Sequence, residues 1–368
     1  MKYRFIGSVD NREYIPNSTE WRPQAGLFTM KPYDVSFPIE KIKERPSVMS
    51  RYIEALPFAE ESVLDEVTLG EGMTPLIPLD TNEPNVLVKL DYLMPTGSFK
   101  DRGAAVLIAK AKELGAEKVI ADSSGNAGTA IAAYCARAGL PCHVYVPESA
   151  SEKKLEQIRA HGAELQKVPG SRADTAEAAM TAVDEKKHFY ASHVYNPFFY
   201  EGTKTFAFEI WEQLNFTVPD TLVLPVGNGT LVLGAFIGFQ DLMNAGLITS
   251  LPKITAVQAE PCAPLAEAFR QNSHITPAKN EGTLAEGIAI ENPPRAEQIM
   301  EAVNKTGGTF ITAPEGDILK AKKRLAEKGF YVEPTTAATY TAFENNKEWL
   351  FDTKETIVLS LCGSGLKK

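Results

Sequence analysis

Short, almost continuously apolar runs alternate with longer segments of helical period from about residue 86 to the end of the chain. The runs that favour strands are residues 86–90, 119–121, 143–146, 221–224, 254–257 and 356–361. The segments that favour helices are residues 98–114, 129–138, 152–161, 231–243 and 318–328. Apolar strands that alternate with helices are typical of a parallel sheet covered on both faces. The pattern therefore predicts an α/β fold.

The alternation occurs in two runs, which predicts two three-layer α/β domains with largely parallel sheets. The length of 368 residues agrees with this number, at about 150 residues per domain. Binding sites of such proteins lie beyond the carboxyl ends of strands and between domains, so we expect the site in the interdomain crevice. Residues 1–65 are rich in proline and aromatic residues and have weak periodicity. We expect an irregular lead-in there, with short helices near residues 39–43 and 47–53.

The overall charge bears on the kind of partner. With a net charge of -9 and a pI of about 5.3, the protein repels a phosphate-rich polymer on average, so no nucleic acid partner is expected. No apolar run reaches the about 18 residues of a membrane helix. Residues 1–5 are not followed by the apolar run of a signal peptide. We therefore expect a cytoplasmic protein that does not bind a membrane.

The cysteine pattern indicates neither a disulfide framework nor a metal site. The chain has four cysteines and no CxxC pair: Cys135, Cys142, Cys262 and Cys362. Cys142 is followed by His143, but no second ligand pair lies at the spacing of a zinc site, so no metal is expected. Reduced, buried thiols of a cytoplasmic protein are the interpretation that fits.

The segment from Pro95 to Gly103 places Lys100 at the start of a predicted helix, after a strand and a turn. A lysine in this position is ordinarily a surface residue. Gly97 and Gly103, however, allow the backbone to approach a neighbour closely. A lysine that forms a Schiff base needs an amine whose pKa is lowered by burial or by nearby cations. Both interpretations of Lys100 are open at this point.

Residues 123–128, with the sequence Ser-Ser-Gly-Asn-Ala-Gly, also lie between a strand and a helix. Backbone N–H groups at a helix N-terminus, together with serine hydroxyls, can bind a carboxylate. Asn126 could in addition donate to a phenolate oxygen. The competing interpretation is a plain capping loop, because serine and asparagine are favoured N-caps.

Residues 226–231, with the sequence Val-Gly-Asn-Gly-Thr-Leu, form a third loop of this kind. Gly227 and Gly229 would let several N–H groups converge on one phosphate at the start of a helix. A dinucleotide motif is excluded because the next glycine is Gly234, and no Gly-Lys-Ser/Thr of a Walker loop follows.

These three segments and the terminal residues 362–367, taken in this order, resemble the fold-type II pyridoxal-5'-phosphate (PLP) enzymes of the tryptophan synthase β-like superfamily. Within it, the chain is most similar to the threonine synthase family. The segments that carry this similarity are residues 69–76 (LGEGMTPL), residues 95–103 (PTGSFKDRG), residues 196–205 (NP followed by EGTKT) and residues 363–367 (GSGLK).

The resemblance implies a role for each of these segments. Lys100 corresponds to the lysine that forms the Schiff base with PLP and acts as the catalytic base. Asn126 corresponds to the residue that binds the 3'-oxygen of the cofactor, and Cys362 lies opposite its pyridine nitrogen, where a neutral group favours elimination over transamination. The cofactor phosphate loop is implied at Gly227, Asn228, Gly229, Thr230 and Leu231. The substrate carboxylate pocket is implied at Ser123, Ser124, Asn126 and Ala127.

The resemblance also implies an organisation for the whole protein. Residues 1–100 and 205–368 would form a large PLP-binding domain, and residues 101–204 a smaller, mobile α/β domain that carries the Ser-Ser-Gly-Asn loop. The substrate would be a small amino acid, and the protein a homodimer.

One departure from the threonine synthase pattern affects the expected substrate. Those enzymes have an arginine shortly before EGxKT that binds the substrate phosphate, and this chain has Phe199 there. A neutral side chain cannot replace a bidentate guanidinium clamp. The Asn-Ser pair of the family falls on His193 and Val194. Residues 283–289, by contrast, resemble serine and threonine dehydratases.

Three hypotheses follow. The first is a PLP-dependent lyase that catalyses elimination or replacement at Cβ or Cγ of an amino acid, with a leaving group other than phosphate; a serine or threonine ammonia-lyase is one form of it. The second is a genuine threonine synthase that converts O-phosphohomoserine, with the missing arginine replaced by another cation, for which the candidates are Arg102, Lys153, Lys154 and Lys204. The third is a catalytically silent PLP-binding protein.

Overall fold

The computed structural model describes residues 3–60 and 62–367, without the side chain of Lys154. The strands are β1 (Phe5–Gly7), β2 (Glu13–Tyr14), β3 (Phe28–Met30), β4 (Leu76–Asp80), β5 (Glu83–Lys89), β6 (Val119–Ala121), β7 (Cys142–Pro147), β8 (Glu164–Val168), β9 (Phe189–Tyr190), β10 (Thr221–Pro225), β11 (Lys253–Ala259), β12 (Thr309–Ala313) and β13 (Ile357–Ser360). The helices are α1 (Ile39–Glu44), α2 (Ser62–Asp65), α3 (Lys100–Glu113), α4 (Asn126–Ala138), α5 (Glu152–Ala160), α6 (Arg172–Lys186), α7 (Pro197–Thr203), α8 (Thr205–Gln213), α9 (Thr230–Asn244), α10 (Pro264–Gln271), α11 (Ala296–Lys305), α12 (Ile318–Glu327) and α13 (Pro334–Leu350). Short 3₁₀ helices occur at Met49–Ala55, Asp91–Leu93, Glu286–Ile288, Glu315–Asp317 and Gly365–Lys367.

The strands form three sheets. A sheet of order β12-β11-β10-β13-β5-β4 is parallel except for its β4–β5 pair, and a sheet of order β8-β7-β6-β9 is parallel throughout. The third sheet, of order β2-β1-β3, is antiparallel. The strands of the parallel sheets are largely buried because helices follow them along the chain, as the apolar runs predict. The predicted α/β class with largely parallel sheets is confirmed.

The chain divides into two compact units, and each is made from two segments. Unit 1 contains residues 1–73 and 100–203, and unit 2 contains residues 74–99 and 204–368. The predicted division, residues 1–100 with 205–368 and residues 101–204, differs from this one in where it places residues 1–73. Those residues belong to unit 1 because Tyr3, Phe5 and Phe28 share a hydrophobic core with α3 and α4.

The lead-in is more regular than its sequence indicates. The predicted helices near residues 39–43 and 47–53 correspond to α1 and to the 3₁₀ helix Met49–Ala55. The antiparallel sheet β1–β3 was not predicted. Its strands contain two or three residues each, which is too short for an alternating pattern to be recognised.

None of the helices in residues 3–60 and 62–367 combines the length and the apolar character that crossing a membrane requires.

Candidate active site

Lys100 is the first residue of α3 and lies beside an aromatic ring. Its Nζ is 5.6 Å from the centroid of the Phe199 ring on α7. The two helices are in close contact because Gly103 faces the same ring, where an added Cβ would lie 2.3 Å from Cε1 of Phe199. On the other side of this contact, a Cβ on Gly202 would lie 2.0 Å from the carbonyl oxygen of Arg102. Glycines at both positions therefore allow Phe199 to pack next to the lysine.

The Ser-Ser-Gly-Asn loop connects β6 to α4 in unit 1. The helix begins at Asn126 with Gly125 as its N-cap, three residues before the predicted start. The Ser123 hydroxyl accepts a hydrogen bond from the Gly125 N–H at 3.3 Å. A Cβ on Gly128 would lie 1.8 Å from the Ser123 carbonyl oxygen, so only glycine permits this turn. The loop and the first turn of the helix thus place Ser123, Ser124, Asn126 and Ala127 together at a helix N-terminus.

The titratable side chains of Asp122 and His193 lie in the same unit. Asp122 directly follows β6, and burial raises the pKa of its carboxyl while the charge of Arg172 acts against this rise. The His193 side chain is 5% exposed. Burial, followed by the positive charges of Lys100 and Arg172, holds the pKa of His193 well below its usual value. Asp122 was missed by the sequence analysis; a carboxylate immediately after a strand end is the signal that could have found it.

The glycine-rich loop connects β10 to α9 in unit 2. Gly229 is the N-cap of the helix and has a φ of 80°, a left-handed conformation that favours glycine. A Cβ on Gly229 would lie 2.4 Å from Cδ1 of Ile299. The first turn of an α-helix has N–H groups without intrahelical acceptors, and its positive dipole end favours an anion. Gly227, Asn228, Gly229, Thr230 and Leu231 therefore form a loop suited to a phosphate.

Cys362 lies two residues after β13, also in unit 2, and its side chain is 1% exposed. Its Sγ is 3.2 Å from Oγ1 of Thr336, which in turn accepts a hydrogen bond from the Gly363 N–H. Burial and the negative charge of Glu333 raise the pKa of the thiol. Cys362 is therefore a neutral group at the carboxyl end of a central strand.

Cations that could replace the missing arginine are constrained in the structure. Lys204 is 1% exposed and forms an ion pair of 2.8 Å with Asp241 inside unit 2. Arg102 is completely buried in α3, while Lys153 is exposed on α5. The side chain of Lys154 lies outside the described part of the chain. The expectation that Lys204 could bind a substrate phosphate is not supported, because its charge is already neutralised by Asp241.

Known proteins with similar sequences identify the class of this protein. Residues 67–363 match the family described as pyridoxal-phosphate dependent enzyme, and the chain belongs to that family. It is 39% identical over 337 residues to threonine synthase of Methanocaldococcus jannaschii, covering 89% of this chain and 82% of that protein. It is 37% identical over 343 residues to threonine synthase of Methanosarcina acetivorans, covering 90% and 83%. The chain is thus a PLP-dependent lyase similar to threonine synthase, and the predicted family, enzyme class and cofactor are confirmed.

Solved structures agree with the fold. Maize serine racemase has a TM-score of 0.69 at 20% identity, covering 80% of this chain and 88% of that one. The processed form of threonine deaminase isoform 2 from Solanum lycopersicum has a TM-score of 0.70 at 19% identity, covering 95% and 94%. At this level of identity the likeness concerns the fold alone.

The residues present suit the cofactor of the family. PLP requires an amine for covalent attachment, a set of N–H donors for its phosphate and a partner for its ring nitrogen. Lys100, the loop before α9 and the neutral thiol of Cys362 have these properties. A Cβ at Gly229 would collide with Ile299, so this position of the loop has to remain without a side chain.

Proposed function

We propose that this enzyme removes a leaving group other than phosphate from the side chain of a small amino acid. The observation that carries the proposal is Phe199. It is completely buried and packs against Gly103 and beside Lys100, in the position where the resemblance places a phosphate-binding arginine. An aromatic ring offers a phosphate dianion neither charge nor hydrogen-bond donors, whereas a guanidinium offers both.

We assign the site residues as follows. Lys100 holds the cofactor covalently and, once released from it by the substrate, its amine takes the proton from Cα. The hydroxyls and N–H groups of Ser123, Ser124, Asn126 and Ala127 bind the substrate carboxylate at the N-terminus of α4, and Asn126 also binds the 3'-oxygen of the cofactor. When bound, PLP supplies the electron withdrawal that makes the Cα proton removable.

The unit 2 residues serve the cofactor in this assignment. The loop of Gly227, Asn228, Gly229, Thr230 and Leu231 binds its phosphate at the N-terminus of α9. Cys362 would be the partner of the pyridine nitrogen, and because its thiol is neutral it would leave that nitrogen without a proton, which favours elimination over transamination.

We further propose that the enzyme works as a homodimer in the cytoplasm, with its cofactor in the crevice between two domains and with residues 101–204 as the mobile one. The four cysteines are buried free thiols, which supports a reducing compartment. The dimer, the crevice and the mobility rest on the family resemblance.

The second candidate is a threonine synthase that acts on O-phosphohomoserine. It is favoured by the names of the relatives, which are threonine synthases at 39% and 37% identity. In that case the substrate phosphate would need a cation in place of the family arginine.

One experiment separates the candidates. The purified enzyme, loaded with PLP, is incubated separately with O-phosphohomoserine, L-serine, L-threonine and L-2,3-diaminopropionate, and the release of phosphate, ammonia and keto acid is measured. We expect ammonia and keto acid from at least one of the three non-phosphorylated amino acids. Lys100→Ala is the background control and should give no product above the cofactor alone. Phosphate release with formation of threonine would overturn the proposal in favour of the second candidate.

A further inference from the structure

We propose that His193 contacts the side chain of the substrate and selects an uncharged group that both donates and accepts hydrogen bonds, such as the hydroxyl of L-serine or L-threonine. This inference rests on the proposed function, because it names the kind of leaving group that replaces phosphate. It concerns a residue at which this chain departs from the threonine synthase pattern.

His193 and the reacting lysine, Lys100, both lie beside the ring of Phe199. Its imidazole ring contacts the Phe199 ring edge to face, with 6.0 Å between the ring centroids and an interplanar angle of 67°. The same Phe199 ring is 5.6 Å from Nζ of Lys100. If the Cα of a substrate faces Lys100, a group on its Cβ would therefore lie near His193 and Phe199.

The loop that carries His193 is fixed by its other polar residues. Oγ of Ser192 accepts hydrogen bonds from the N–H groups of Val194 and Tyr195, each at 3.3 Å. Oδ1 of Asn196 accepts one from the Phe198 N–H at 3.1 Å. These bonds use Ser192 and Asn196 to hold the backbone on both sides of His193. The position of the imidazole is thus set by the loop and does not depend on bonds of its own.

The His193 imidazole itself is not used in this way. It is 5% exposed, and among residues 3–60 and 62–367 it forms a ring contact and no hydrogen bond or ion pair. A titratable side chain left without a partner beside a reacting lysine is what a residue reserved for a substrate looks like.

The charge state of His193 determines which group it can bind. Burial and the positive charges of Lys100 and Arg172 hold its pKa well below the usual value, so the ring is neutral at neutral pH. A neutral imidazole has one N–H donor and one acceptor nitrogen. A hydroxyl group matches this pair, whereas a phosphate dianion offers acceptors only and would face the π-cloud of Phe199.

Ligand pairs that differ only in the hydroxyl test this role. L-alanine has the same main chain as L-serine and lacks the hydroxyl, so the ratio of their dissociation constants isolates the side-chain contact. Binding is measured on the PLP-loaded enzyme by the change in cofactor absorbance in the first milliseconds after mixing, before turnover. We expect His193→Leu to weaken L-serine binding about three- to tenfold, the effect of one hydrogen bond, and to leave L-alanine binding unchanged. His193→Asn keeps a donor and an acceptor. Its preference for L-serine over L-alanine, expressed as a difference in binding free energy, should fall by less than half of the fall in His193→Leu.

The outcomes are separable. Equal weakening of L-serine and L-alanine in His193→Leu would show a structural role and overturn the proposal, and so would an unaltered enzyme that does not prefer L-serine or L-threonine to L-alanine. If His193→Leu does not fold, as judged by its thermal transition, the comparison is made with His193→Asn, in which any change common to both ligands counts against the proposal. Release of phosphate from O-phosphohomoserine would reject the proposed function, while the serine-to-alanine ratio would still decide the role of His193.

Discussion

At the scale of single residues, the assignment depends on the amine of Lys100. The proposed role requires an amine that bonds covalently to the cofactor and then takes the Cα proton, and neither Phe199 nor His193 has such an amine. A positioned general base contributes about 10²- to 10⁴-fold to a rate. The role of Lys100 can therefore be separated from that of a residue that only shapes the pocket.

We expect Lys100→Ala to lose the yellow colour of the protein-bound cofactor and to lower the rate of the reaction at least 10²-fold, because both attachment and proton transfer are removed. Absorbance of the desalted protein and single-turnover kinetics measure the two effects. Lys153→Ala, which removes an exposed lysine from α5, is the matched control and should retain both. A persistent protein-bound chromophore in Lys100→Ala would show that another amine attaches the cofactor.

At the scale of elements, the sequence predicts several segments with a clear period, and it misses short elements and also long helices such as α6 and α13. The predicted helix at residues 98–114 is α3, and the predicted strand at 119–121 is β6. The strands β1 to β3 are too short for a pattern. The other strands and α-helices that were not predicted are β4, β8, β9, β12, α2, α6, α7, α8, α10, α11 and α13. The fully buried α7 has little amphipathic contrast because all of its residues are inside.

The candidate site shows the same limit. Lys100, Asn126, the loop before α9 and Cys362 lie in short motifs whose spacing can be recognised in a single sequence. The neighbours of Lys100 depend on how α3 packs against α7, which no local pattern contains. His193 and Phe199 could be named from the sequence as departures from a motif, but not as contacts of one another.

We expect Gly103→Ala to lower the free energy of unfolding by about 1–3 kcal/mol, because its Cβ would lie 2.3 Å from the Phe199 ring and either α3 or the ring has to move. Denaturant titration measures the loss, and the accompanying shift of the ring should also reduce activity. Gly316→Ala is the matched control, since a Cβ there meets nothing within 4 Å, and it should change stability by less than about 0.5 kcal/mol. Equal effects of the two substitutions would contradict the close packing of α3 on α7.

At the scale of the whole molecule, each unit is assembled from chain segments that are distant in sequence. In unit 1, the Tyr134 hydroxyl on α4 donates to Glu71 at 3.0 Å and so joins the lead-in to the second segment. In unit 2, residues 74–99 are joined to residues 204–368 by the parallel pairing of β5 with β13 and by Lys89. The loops proposed to hold the substrate and the cofactor lie in units that are held together by these joints.

The buried pair of Lys89 and Glu209 allows a test of this joint. Both side chains are inaccessible to solvent, and Nζ of Lys89 lies 2.7 Å from Oε2 of Glu209 and 2.6 Å from the Thr74 carbonyl oxygen. We expect Lys89→Met to destabilise the protein by about 3–5 kcal/mol, because it leaves the Glu209 charge buried without its partner. Adding Glu209→Leu should recover part of the loss, since the double variant buries neither charge.

Lys305→Met, which removes an exposed ion pair with Glu301, should cost less than about 1 kcal/mol. Denaturant unfolding followed by fluorescence measures all four proteins, and a double variant no more stable than Lys89→Met alone would contradict the cost assigned to the unpaired Glu209 charge.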